Sequence, residues 1–155
     1  MKPNAFRRIM MTLLLPVLSA PALSTSTLSS VSAKEVTVRI TNIDVKRSGS
    51  ITLMLFSSEG FPKDHSKAVM IEKKIASKST LEFPLTINLE TFALKVLHDE
   101  NDDGQVTKNW TGIFPAEGLG FSNGAKIRFG PPSFKKAKLG LNDITDSIDI
   151  ALIYP

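Results

Sequence analysis

The 155-residue chain holds 19 basic and 15 acidic residues and no cysteine, which excludes disulfide staples and thiolate-bound metals. Three of the basic residues and none of the acids fall in residues 1–33, so residues 34–155 carry 16 minus 15, or +1. That balance gives nucleic acid no electrostatic hold, while the 122 residues that carry it suffice for one domain with its own core.

The chain opens as a signal peptide. Lys2, Arg7 and Arg8 form a positive start, and Ile9 to Leu18 is an apolar run of ten residues, about half of what a membrane span needs. Small residues then offer two cleavage points, after Ala33 (Val31-Ser32-Ala33) and after Ala22 (Ala20-Pro21-Ala22), of which the first is preferred. Residues 34–155 are expected to form a single exported domain, periplasmic or secreted, with no membrane span after processing.

Period-two alternation then predicts strands in sequence. Val36, Val38 and Ile40 alternate with Thr37, Arg39 and Thr41; Ser48-Gly49-Ser50 turns the chain; Ile51, Leu53 and Leu55 alternate with Thr52, Met54 and Phe56. After a polar loop from Ser58 through His65 come a short strand over Val69–Lys73 and a longer one in which Leu81, Phe83, Leu85 and Ile87 alternate. Pro84 lacks an N–H for the ladder and marks that strand as an edge. Phe92, Leu94 and Val96 follow, and after residues 99–135 come Ala137–Leu141 and Ile148–Tyr154. The pattern predicts an all-β, antiparallel sandwich of about seven strands with one long ordered loop.

That loop starts His98-Asp99-Glu100-Asn101-Asp102-Asp103-Gly104. Asp99, Asn101 and Asp103 stand at positions 1, 3 and 5 of a calcium-loop pattern, Gly104 at 6, Gln105 at 7 and Thr107 at 9, but position 12 is Trp110 rather than glutamate. The EF-hand is therefore rejected. Asp99, Asn101, Asp103, Gln105 and a distant Glu117 remain a candidate calcium set, and calcium is the only cofactor the chain suggests. The same residue types also build solvated turns, and both readings stay open. His98 continues the inward parity of its strand and is expected as a buried neutral imidazole bonded to loop backbone; a metal ligand or general base is the alternative.

The sequence shows no nucleophile elbow and no glycine-rich phosphate cradle before a helix. Lys126, Arg128, Lys135, Lys136 and Lys138 read as a solvated face, with a patch for an anionic glycan or lipid head group as the alternative. Trp110, Phe114, Phe121, Phe129 and Phe134 are expected to fold back as a small satellite core, making an Ω-like cap; a sugar- or peptide-binding shelf is the other reading.

Phe92-Ala93, the segment from His98 to Gly104, Gly112-Ile113-Phe114-Pro115-Ala116-Glu117-Gly118-Leu119-Gly120-Phe121-Ser122-Asn123-Gly124, Gly130-Pro131-Pro132-Ser133-Phe134 and Ala137 together resemble a bacterial exported family catalogued as domain of unknown function 2141. Phe61 fits as well. The resemblance implies a secreted or periplasmic immunoglobulin-like or transthyretin-like sandwich, with no established activity. Glu90-Thr91-Phe92 departs from the family, which has a glycine turn and a tyrosine there, so a tyrosine-corner bond is not available. His98, Gly104, Phe121, Asn123 and Pro131 are read as the residues that shape the loop.

The expected function is that of a non-enzymatic exported binding or interaction module for a protein, peptide or glycan of the cell envelope, with no catalytic residues assigned. The alternative is a cell-envelope hydrolase using Asp99 or Glu117 with His98.

Overall fold

The computed structural model describes residues 32–155, so the expected leader through residue 31, with its Ala22 cleavage point, lies outside the described residues. Eight strands form two sheets: β1 (Lys34–Thr41), β2 (Ser50–Phe56), β3 (Met70–Ile75), β4 (Leu81–Ile87), β5 (Thr91–Asp99), β6 (Gly118–Phe121), β7 (Leu139–Gly140) and β8 (Ser147–Ala151). One sheet has the order β4-β1-β8 and the other β3-β2-β5-β6, with β7 paired to β5. Among the described residues no helix is long and apolar enough to cross a membrane.

The alternation in β1, β4 and β8 is the burial pattern of a sheet with one wet face. Val36, Val38 and Ile40, Phe83, Leu85 and Ile87, and Ile148 and Ile150 face inward. They meet Ile51, Leu53 and Leu55 of β2 and Phe92, Leu94 and Val96 of β5. Pro84 lies on an edge strand, opposite Thr37. The expected antiparallel arrangement is corrected at one pair: β1 and β8 run parallel, Val38 beside Ile148. The long path from β1 to the last strand allows this, since a parallel neighbour needs a long crossover.

β2 and β5 are buried on both faces. Their outer side chains, Met54, Phe56 and Leu97, join Leu119 and Phe121 in a second core, against which Phe61, Ala68, Val106, Ala125 and Ile127 pack. Phe61 is its hub, meeting Phe56, Phe121 and Phe134 edge to face at 5.6, 6.1 and 5.9 Å. The segment after β5 therefore covers the sheet's outer face. Each Leu or Phe so buried contributes about 1.5–3 kcal/mol.

Two expectations for local structure are corrected. Gly118-Leu119-Gly120-Phe121, read as loop, is β6. Its glycines face the other sheet, where a Cβ on Gly118 would lie 2.5 Å from the Tyr154 ring and one on Gly120 would lie 2.7 Å from Ile150. Close approach, not flexibility, calls for glycine there. The bridge Leu119–Ile153, with N–H···O distances of 3.0 and 2.9 Å, joins the two sheets at this corner. Ala137–Leu141, read as a strand, is a helical turn over Phe134–Ala137, the two-residue β7 and a 3₁₀ turn over Leu141–Asp143. Ala137 and Leu141 are nonetheless buried, which produces the alternation without a full ladder.

Between β6 and β7 the edge of β5 has a gap, which Ser122 fills. Its buried hydroxyl accepts from the Leu94 N–H at 2.9 Å and donates to the Ala137 carbonyl at 2.6 Å. Ser122→Ala leaves both groups without that partner. It is expected to cost about 1–3 kcal/mol in urea unfolding; a loss below about 0.5 kcal/mol would show that the hydroxyl is dispensable.

Candidate functional site

β5 ends in two fully buried polar residues, His98 and Asp99. Asp99 turns its carboxylate into the loop that follows: Oδ1 accepts from the Asp103 N–H at 3.1 Å and Oδ2 from the Gly104 N–H at 2.8 Å. Asn101 Oδ1 accepts from the same Asp103 N–H at 3.3 Å, and Asp103 Oδ1 accepts from the Gln105 N–H at 2.7 Å. Asp102 and Gly104 take positive φ values of 58° and 74°, the left-handed conformation that Asp tolerates and Gly adopts freely. Glu117, also buried, bridges the ends of the turn. Its Oε1 accepts from the Glu100 N–H at 3.1 Å and its Oε2 from the Thr107 N–H at 2.8 Å.

The acidic cluster carries its own counter-charges. Lys73 of β3 lies 2.9 Å from Asp102 and 3.8 Å from Asp99, and Arg47 lies 2.7 Å from Glu100. The Lys73 bond holds the Asp102 carboxyl below its ordinary pKa, and the Glu100 bond raises Arg47. The structure thus brings Asp99, Asn101, Asp103 and Glu117 around one stretch of backbone, with Asn101, Asp103 and Gln105 exposed. Among the described residues no three acidic or imidazole side chains converge as a ready cation cage.

His98 lies beside this turn. Its Nδ1 is 2.7 Å from the Tyr154 hydroxyl and its Nε2 is 3.0 Å from the Ser48 carbonyl, while the Asp44 N–H donates to the same hydroxyl at 3.0 Å. An imidazole protonated on Nε2 satisfies every partner: Nε2–H donates to Ser48 and Nδ1 accepts from Tyr154. Arg47 stacks over the Tyr154 ring, 4.9 Å from its centroid. Burial, first of all, raises the Tyr154 pKa.

Beyond the turn, residues 107–116 double back as a hairpin. The Asn109 N–H bonds Phe114 O at 2.8 Å and the Ala116 N–H bonds Thr107 O at 2.9 Å. Its base is the backbone that Glu117 grips. The expected satellite core forms only in part. Phe121 is buried and Phe134 meets Phe61, whereas Trp110 is 96% exposed, and Ile113, Phe114 and Phe129 are exposed as well. The hairpin satisfies its backbone internally and so reaches beyond the sheet it would otherwise cover. Asn123 (φ 56°) donates to the Lys136 carbonyl at 3.1 Å, fixing the turn after β6.

The hairpin is the wall shared by two open clefts of about 780 and 810 Å³, both lined by Phe114, Pro115, Leu119 and Phe121. Pro131 lines the larger, and Glu117 the smaller. The floor of the larger cleft holds a pair that the sequence reading missed. Lys95 Nζ, on the outer face of β5, donates to the Pro62 carbonyl at 2.9 Å and lies 2.6 Å from His65 Nε2. His65 Nδ1 is 2.8 Å from the Gly104 carbonyl. Burial pushes the Lys95 amine down to about 8. Burial and then the Lys95 charge lower His65. The signal was a lysine set on the outer face between Ala93 and Leu97.

Glu117→Gln replaces one acceptor by a donor facing an N–H. It is expected to cost about 1–3 kcal/mol in urea unfolding, whereas Asp103→Asn, on an exposed side chain that keeps an acceptor, should stay within about 0.5 kcal/mol. Equal effects would refute the distinct role assigned to the buried carboxylate.

No curated protein matches the chain, and neither does any solved structure. The family model described as an uncharacterized protein conserved in bacteria (DUF2141) matches residues 38–149, a span that contains β2 to β7, the acidic turn, the hairpin and both walls of the larger cleft, and the chain belongs to that family.

Proposed function

We propose that this protein is a non-enzymatic binding module of the bacterial cell envelope: an exported immunoglobulin-like or transthyretin-like sandwich that presents the 107–116 hairpin and the adjoining cleft to a protein, peptide or glycan. The observation that carries this reading is the exposure of Trp110, Ile113 and Phe114 on a hairpin whose base Glu117 and the turn bonds hold in place, with Phe129 exposed beside them on the wall of the larger cleft. Large aromatics left in water on an ordered support are typical binding anchors. The positive start of the chain and the apolar run Ile9–Leu18 after it support export.

The carboxylates support a structural role rather than hydrolysis. Asp99 and Glu117 each spend both oxygens on backbone N–H groups, and His98 spends both nitrogens on Tyr154 and Ser48. A general base drawn from this set must first release the loop it holds. Calcium belongs to the proposal as an added clasp: Asn101 and Asp103 lie at the surface beside Asp99, where their oxygens are accessible to a hard cation.

Purified protein titrated against isolated envelope fractions (peptidoglycan, outer-surface glycan and periplasmic protein) tests the reading. Trp110→Ala with Phe129→Ser is expected to lose at least about tenfold in affinity for the bound fraction, at an unchanged melting temperature, since one aromatic anchor contributes about 2 kcal/mol. Undiminished binding by the double variant contradicts the anchor assignment. Release of soluble fragments from peptidoglycan, abolished by Asp99→Asn, would establish the hydrolase instead. A melting temperature that ignores millimolar calcium against chelator removes the clasp, because a ligand of the native state must stabilise it.

A further inference from the structure

Among the described residues Lys95 is the only buried lysine or arginine, 3% exposed. Both groups that meet its Nζ are neutral acceptors, the Pro62 carbonyl and His65 Nε2, and His65 is committed on its other side to the Gly104 carbonyl. An ammonium has three N–H bonds, and no carboxylate among the described residues lies within ion-pair distance of this one. Burying a charge without a counter-ion is costly, and buried cations are as a rule paired. Lys95 and His65 line the floor of the larger cleft.

The rest of that cleft describes what would fill it. Val106, Phe114, Leu119, Phe121, Ile127 and Phe129 make its walls apolar. Lys63, Lys108 and Arg128 add positive charge, and Asp64, the one acidic side chain there, is turned to Ser66, accepting from its N–H and its hydroxyl at 3.1 and 2.6 Å. The volume of about 810 Å³ suits a small molecule. A side chain exposed by only 3% is reached by a slender head group and not by a folded partner or a sugar ring.

We propose that this cleft binds a small amphiphile, a fatty-acid-like molecule whose single anionic head pairs with Lys95 and whose apolar tail lies along the Phe114–Phe129 wall. The inference goes beyond the proposed function: it shares with that reading only the assignment of this region as a binding surface, and gives the cleft a small-molecule ligand in addition to the partner that the hairpin meets. The head pairs its negative charge with the Lys95 ammonium and accepts one of its N–H bonds. The tail covers the exposed Phe129 and the half-exposed Phe114. Because the Lys95 amine sits near 8, binding weakens as rising pH discharges it. Of the other charged or titratable groups, His65 touches this amine, and Asp64 and Lys63 of the β2–β3 connection, Lys108 of the hairpin and Arg128 line the same cleft; the outer face of β5 adds none beside it, its neighbours there being Ala93 and Leu97.

Calorimetric titration of the full chain with monomeric decanoate and with 1-decanol tests the inference. Decanoate is expected to bind at least about tenfold more tightly than decanol near neutral pH, Lys95→Met to abolish that preference, and wild-type affinity for decanoate to fall about fivefold or more from about pH 7 to about pH 9.5. Equal binding of the two compounds by the wild type overturns the anionic head but leaves a binding cleft. Retention of the full preference by Lys95→Met also overturns it. Binding of neither compound overturns the amphiphile, while the envelope-binding comparison of the Trp110 and Phe129 variants still judges the module independently. If Lys95→Met does not fold, the wild-type pH series carries the test, and a flat series refutes the pairing with Lys95.

Discussion

The structure depends on two buried carboxylates that take the place of a ladder. β2 and β5 are apolar on both faces, so the sheet they centre must be covered on its outer side as well as its inner one. The cover is a long irregular segment, and irregular backbone packed against a core needs acceptors for its N–H groups. Asp99 and Glu117 supply four of these bonds, to Asp103, Gly104, Glu100 and Thr107. Phe61 then locks the cover against Phe56, Phe121 and Phe134, and Ser122 closes the gap along β5.

The consequences reach the candidate site directly. The turn that Asp99 organises places the Gly104 carbonyl against His65, which in turn meets Lys95. The base that Glu117 closes sets the hairpin on which Trp110 stands. Acidic turn, buried amine and exposed aromatics are therefore parts of one arrangement, although they are spread over residues 62–131. The turn meets the cleft floor through the Gly104–His65 contact, and its Gly104, Gln105 and Val106 line the same cleft.

Much of the sandwich was legible because alternation reports one-sided burial. β1, β4 and β8 bury every second residue, as their sequences imply. Pro84 marked its own edge. β6 was hidden because two of its four residues are glycine, a residue that usually signals a turn and here permits Tyr154 and Ile150 to approach. The parallel pairing of β1 with β8 is a matter of topology on which a strand's own pattern is silent. The Ala137–Leu141 alternation was real burial with only the two-residue β7 as strand, because a helical turn at Ala137 and a 3₁₀ turn at Leu141 put both side chains inward.

The site was legible in its residue types and less so in their roles. The Asp-x-Asn-x-Asp-Gly spacing is visible in sequence, but only geometry shows that Asp99 and Glu117 face backbone N–H groups. His98 followed its strand's parity inward as expected. The aromatics divided, Phe121 and Phe134 packing inward while Trp110, Phe114 and Phe129 stay in water, because whether a hairpin leans on the sheet depends on contacts beyond its own sequence. The Lys95–His65 pair joins positions 30 residues apart through a loop that carries no regular pattern.

Amide hydrogen exchange tests the central claim most directly. The N–H groups of Glu100, Asp103, Gly104 and Thr107 are predicted to exchange at least about a hundredfold more slowly than in an unstructured chain, in step with one another, because two carboxylates hold them as a unit. Exchange of these four at unstructured rates, while the amides of β2 and β5 stay protected, would contradict the account.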